Sequence, residues 1–131
     1  MGKKLEKSFW KRMKDNLKLD FIGRVENECG SGWSDVHYMH NGYGGWIELK
    51  AEDKFPDRIK FEPAQPNWLT KYWGAGGICY IFLKVKENNS IYIWDGKFAR
   101  ELNHKGGTKI IKPLFVAKDN PQGWGEIREL F

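Results

Sequence analysis

Asn41-Gly42 stands between two stretches in which apolar residues alternate, 31–40 and 44–51. This dipeptide favours the left-handed conformations needed at both centres of a two-residue hairpin turn. With Asn41 and Gly42 as those centres, the numbers of facing residues sum to 83. Val36, Tyr38, Ile47 and Leu49 then share one face, and Trp33, Asp35, His37, Trp46, Glu48 and Lys50 share the other. The first set is apolar and suits a core; the second is polar with aromatic borders and suits a site. Gly44-Gly45 is the weak point, because a bulge there would move Asp35 to the opposite face.

In this register Asp35 lies opposite Glu48, with β-carbons about 4.5–5.5 Å apart. Two carboxylates so placed destabilise a sheet unless something offsets their repulsion, and a divalent cation would do so. Lys50 is two residues beyond Glu48 and points the same way, roughly 7 Å along the strand. Two acids and a lysine on one side of a hairpin have the chemistry of phosphodiester hydrolysis. Carboxylates hold an ion that polarises the phosphate and activates water, and a cation orients the water or stabilises developing charge. The Leu49 carbonyl is within reach as a further ligand. Against this, a Glu-x-Lys pair on a strand is by itself more often a solvated surface pair.

Elsewhere the patterning is consistent with an α/β chain. Leu5, Phe9, Met13 and Leu17 recur at four-residue steps and predict a helix over 5–18. A strand over 23–28 precedes the hairpin. A polar loop over 52–62 carries Lys54, Arg58 and Lys60. A helix over 63–73 opens with Pro63 at its first position and stops at Gly74 and Gly76-Gly77. Residues 78–86 read as a buried central strand, and 90–94 as another after an Asn88-Asn89 turn. A short helix near 96–102, a turn at Gly106-Gly107, an extended piece over 110–116 and a closing segment over 124–131 complete the chain. The order αβββαββ with a C-terminal extension predicts a mixed central sheet flanked by helices.

The 131 residues suit a single domain, 1–131, with 15% aromatic residues to fill its core. The formal charge of +5 favours anionic partners, of which nucleic acid is the commonest. Lys3, Lys4, Lys7, Lys11, Arg12 and Lys14 crowd the first helix; Lys7 and Lys11, with Lys54, Arg58 and Lys60, are candidates for backbone contacts. No apolar run is long enough to span a bilayer, and the N-terminus lacks a signal-peptide core and a myristoylation pattern. Cys29 and Cys79 with three scattered histidines make neither a disulfide framework nor a zinc site, as expected of a cytoplasmic protein. Trp94-Asp95 is an isolated dipeptide, and Gly106-Gly107-Thr108-Lys109 lacks the spacing of a phosphate-binding loop. Trp33 and Trp46 are assigned to packing around the sheet.

Asp35-x12-Glu48-Leu49-Lys50 resembles the core of the PD-(D/E)XK nuclease superfamily, an Asp and an acidic-x-Lys on a β-hairpin. Arg24-Val25-Glu26-Asn27 and Gly30-Ser31-Gly32-Trp33-Ser34-Asp35 are similar to the approach segment of small phage-encoded resolvase-like and VRR-NUC-type members. Residues 61–69, with Gln65 and Trp68-Leu69, resemble their helix after the active-site hairpin. The match covers roughly 5–83; nothing from Glu87 onward carries a motif. Ser34 replaces the family's usual Pro, a residue that stiffens the strand and supplies no catalytic group.

The resemblance implies a restriction-endonuclease-like core and a metal-dependent endodeoxyribonuclease. In it, Asp35, Glu48 and the Leu49 carbonyl hold Mg²⁺, with Mn²⁺ as a substitute. Lys50 positions or activates water, and Gln65 orients Lys50 or the phosphate. Glu6 matches the family's helical acid, and Glu26 is the alternative. Branched or junction DNA, action as a homodimer, a role in recombination or repair, and location in a host cytoplasm if phage-encoded follow from the resemblance alone. His37 gains no role from it. The competing readings are a non-catalytic nucleic-acid-binding protein on the same fold, and an RNA-directed or restriction-like nuclease with the same chemistry.

Overall fold

In the computed structural model, which describes residues 2–25 and 34–131, Asn41 and Gly42 both adopt positive φ, 52° and 81°. They turn β2 (Val36–His40) back onto β3 (Tyr43–Glu52) with His40 facing Tyr43, His37 facing Trp46 and Val36 facing Ile47. The register is the one read from the turn. No bulge forms at Gly44-Gly45, and the pairing runs through both glycines. Gly45 is held between Tyr38 on one side and Ile78 on the other, and a β-carbon there would lie 2.5 Å from the Ile78 carbonyl oxygen. Close backbone approach, not a bulge, is what requires glycine.

The remaining elements are α1 (Gly2–Asn16), β1 (Phe21–Arg24), α2 (Gln65–Gly74), β4 (Ile78–Val85) and β5 (Ser90–Asp95). After a 3-10 turn at Gly96–Phe98 come α3 (Ala99–Asn103), α4 (Gly107–Ile110), β6 (Phe115–Lys118) and α5 (Pro121–Arg128). The strands form one mixed six-stranded sheet in chain order. Every neighbouring pair is antiparallel except β3 and β4, which are parallel and joined through α2. A parallel join needs a long crossover, and the 52–78 segment with its helix provides one.

Helices cover both sheet faces. On one, Phe9 and Met13 of α1 and Trp124 and Ile127 of α5 pack on Val36, Ile47, Leu49, Phe82 and Ile93. On the other, Leu69 of α2 and Ala99 and Leu102 of α3 pack on Ile81, Leu83 and Trp94. Strand β4, apolar on both sides, is buried by both layers, as its continuous run predicts.

Several boundaries differ from expectation. Strand β2 begins at Val36 rather than 31, and β1 spans Phe21–Arg24, earlier than 23–28, because Phe21 pairs with Met39. Residues 26–33, including Glu26, Cys29 and Trp33, lie outside the described residues. Helix α2 starts at Gln65, so the proline in its first turn is Pro66, not Pro63. Its end is as expected: Gly76 takes φ of 96°, and the amides of Gly76 and Gly77 bond to the carbonyls of Trp73 and Tyr72. Where an extended 110–116 was expected, Gly107–Ile110 makes one helical turn, anchored by Thr108 Oγ1 on the Pro56 and Asp57 carbonyls; β6 starts at Phe115. The closing segment is helical from Pro121, capped by Asn120 Oδ1 on the Gly123 amide. Among the described residues no helix is long and apolar enough to cross a membrane.

Candidate active site

The alternation of β3 places Ile47 and Leu49 in one core and Glu48 and Lys50 on the opposite face, toward α2. Glu48 is 1% exposed. Its Oε2 lies 3.3 Å from Lys50 Nζ, and its Oε1 accepts from the Ser34 hydroxyl at 3.3 Å. Burial pushes the Glu48 carboxyl well above the usual range, and Asp35 pushes it further; Lys50 pulls back without overcoming them. A buried acid in this state is short of positive charge.

Asp35 sits one residue before β2, not within it. Its backbone still follows the ladder, because its carbonyl accepts from the Val25 amide at 2.7 Å. Its side chain then turns to accept from the Leu49 amide at 3.1 Å. In the hairpin register that amide would otherwise pair with the Ser34 carbonyl. Asp35 thus ends the strand pairing and remains fixed against the strand that carries Glu48.

Lys50 is held on three sides. Besides Glu48, its Nζ donates to Gln65 Oε1 at 3.4 Å and lies 4.9 Å from the centre of the Phe61 ring. Gln65 is itself locked: its Oε1 accepts from the Glu62 amide at 3.0 Å, while its own amide donates to the Glu62 carbonyl at 2.9 Å. This reciprocal bonding at the start of α2 fixes a buried glutamine whose oxygen faces the lysine.

Glu6, half-buried on α1, completes the electrostatic neighbourhood. Burial raises its carboxyl above the ordinary value, with Lys50 lowering it and Asp35 raising it; Arg24 and Glu52 act in the same opposed senses. The structure therefore brings Asp35, Glu48, Lys50 and Gln65 together by contact, whereas Glu6 is linked to them only through the charges of Lys50 and Asp35. It does not gather the basic candidates: Lys7 and Lys11 are exposed on α1, whereas Lys54, Arg58 and Lys60 are exposed on the loop leading to α2. Arg58 is tied to the Asn103 carbonyl at 2.9 Å. His37 packs against Trp46 with ring centres 4.9 Å apart and planes tilted by 45°, and Trp46 packs against Trp68 as expected of a structural aromatic.

Sequence reasoning overlooked three contributors. Ser34 holds Glu48, Phe61 faces the lysine, and Arg24 acts on Glu6. Each lies in a segment that carries the family resemblance, Arg24 in 24–27, Ser34 directly before Asp35 and Phe61 at the head of 61–69, but none gains a role from it.

Among the described residues no group of three or more His, Cys, Asp or Glu side chains is placed to hold a metal ion. The donor set still fits Mg²⁺, which uses one or two carboxylates and fills its other positions with water and phosphate oxygens. Neither a protein-family model nor a curated protein matches the chain. Among solved structures, it is similar to Hjc from Archaeoglobus fulgidus, a Holliday junction resolvase from an archaeal hyperthermophile. The two share 17% identity over 74% of this chain and 78% of that one, with a TM-score of 0.53. That likeness is one of fold: a mixed sheet with flanking helices.

Proposed function

We propose that the protein is a metal-dependent endodeoxyribonuclease acting on branched DNA. The observation that carries this reading is the convergence of Asp35, Glu48 and Lys50 at one margin of the sheet, with Gln65 fixed against the lysine. The fold shared with a Holliday junction resolvase supports it, as does the net charge of +5.

Asp35 and Glu48, with the Leu49 carbonyl, would hold Mg²⁺ or, in its place, Mn²⁺. Bound there, the ion would supply Lewis acidity toward the phosphate and a more acidic water. The Glu48 carboxyl, driven toward neutrality by burial and by Asp35, is stabilised as an anion only if positive charge arrives. Lys50 directs its ammonium at the reacting phosphate or the attacking water. Gln65 and Phe61 contact the ammonium of Lys50 on its other sides and orient it. Glu6 supplies the auxiliary carboxylate, in a role Glu26 could share. Paired cuts on a symmetric junction call for two sites, so the working form is a homodimer.

The test is cleavage of a labelled panel comprising a four-way junction, a flap, linear duplex, single-stranded DNA and RNA, with Mg²⁺ or Mn²⁺. Wild type should cut branched DNA, and Glu48→Ala and Lys50→Ala should not, although both stay folded by circular dichroism. Salt-sensitive binding without cutting in either metal would replace this reading with a non-catalytic DNA-binding protein.

A further inference from the structure

Five rings form an unbroken row across the face that carries Glu48 and Lys50. Phe21 of β1 meets His37 of β2 at 6.1 Å between ring centres, and His37 meets Trp46 of β3 at 4.9 Å. Trp46 meets Trp68 of α2 at 5.8 Å, and Trp68 stacks on Tyr72 at 5.2 Å with planes 4° apart. The row is built by register. His37 faces Trp46 across the hairpin and Gly23 across the outer pair. Gly23 leaves room for the Phe21 ring to fold over it: a β-carbon at that position would lie 3.3 Å from the ring's Cζ.

The inner end of this row is packed, but the outer end is open. Phe21 is 54% exposed on β1, the edge strand of the sheet. His37 is two residues beyond Asp35 on the same side of the strand, and Asp35 faces Glu48. A base attached one or two nucleotides from a phosphate at the acids therefore reaches Phe21. In linear duplex every base is already covered on both sides. An exposed aromatic face can be covered only by a base that has lost a stacking neighbour, as happens at a branch point.

Resting on the nuclease reading above, we propose that Phe21, backed by His37, is a stacking platform for an unpaired base next to the scissile phosphate. Its chemistry selects branched over linear DNA. The aromatic row behind His37 keeps the platform rigid.

The test uses flap and four-way DNA carrying 2-aminopurine either at the branch point or within an arm, bound with Ca²⁺ in place of Mg²⁺. Wild type should quench the branch-point probe and leave the arm probe unchanged. Phe21→Ala should lose that quenching and reduce the branched-to-linear cleavage ratio about tenfold; Phe21→Tyr should restore both. Thermal melts of each variant separate this loss from unfolding. Quenching that survives in Phe21→Ala, or an unchanged ratio, overturns the platform while Glu48-dependent cutting leaves the nuclease standing. Quenching lost in Phe21→Ala and restored by Phe21→Tyr, without cutting in any metal, supports the platform and rejects the nuclease. A change of oligomeric mass in Phe21→Ala by light scattering overturns the platform in favour of a contact between copies. Failure of wild type to bind DNA overturns both.

Discussion

Glu48 and Asp119 are both buried carboxylates beside a lysine, and the protein treats them oppositely. Asp119 side-chain exposure is 2%, yet its oxygens accept from Lys84 Nζ at 2.5 Å, Arg12 Nε at 2.6 Å and Trp124 Nε1 at 2.7 Å. Burial alone would raise its pKa, but these donors outweigh it and hold the carboxyl below the usual range. Lys84 is pulled the other way, because its own burial and the nearby Arg12 exceed what Asp119 returns. Glu48 has one ammonium, one hydroxyl and a second acid for company, and is driven toward neutrality. The lesson is in the number of donors. A carboxylate saturated by the protein is a structural staple, here tying α1 to the β4 strand and the segment before α5. One left short of positive charge marks a candidate site.

The largest expected effect is on cleavage. Asp35→Ala, Glu48→Ala or Lys50→Ala should each lower the rate by roughly a hundred- to a thousandfold or more, with little loss of fold. Asp119→Ala should do the reverse. It strands Lys84 beside Arg12, costing about 3–5 kcal/mol in denaturant melts while any surviving folded protein still cuts. Next comes Glu48→Gln, which removes a strained charge and should raise metal-free stability by roughly 1–2 kcal/mol. Its sign follows from the raised pKa: the advantage over wild type opens above about pH 4.5 and is complete near pH 8. For Asp119 the window is inverted. Its contribution is present above the ordinary value of 3.8 and is lost as pH falls through the lowered one, so Asp119→Asn should blunt acid unfolding. A Glu48→Gln variant no more stable than wild type at pH 8 would remove the contrast. The smallest effect should be Gln65→Ala, about tenfold in cleavage and on the order of 1 kcal/mol in stability, as Lys50 loses its restraint.

The hairpin, its register and both faces were legible because Asn41-Gly42 fixes turn geometry locally and strand alternation does the rest. The same register located Glu48 and Lys50. Asp35 was placed correctly but assigned to the strand, since sequence cannot show that its side chain would take the Leu49 amide. The ends of β1 and α2 depended on tertiary partners: Met39 opposite Phe21, and Glu62 bonded to Gln65. The last third was opaque for a related reason. Asp119, Lys84 and Arg12 are each ordinary charged residues in sequence, and only the approach of three distant segments makes them a cluster.

Strand order also has a consequence for how the molecule assembles. Each strand lies beside its predecessor, so the β2–β3 and β4–β5 hairpins can form by local steps at the 40–43 and 86–89 turns, with the 52–78 crossover joining them. The closure of longer range is that of α1, whose Arg12 meets Asp119 across 107 residues. Loop closure over that span costs more than closing the two hairpins, so α1 should dock after the strands bearing Asp35 and Glu48 have paired. The amides of α1 should then exchange with solvent through a partial opening that leaves β4 protected. In that state the acid pair persists without Glu6.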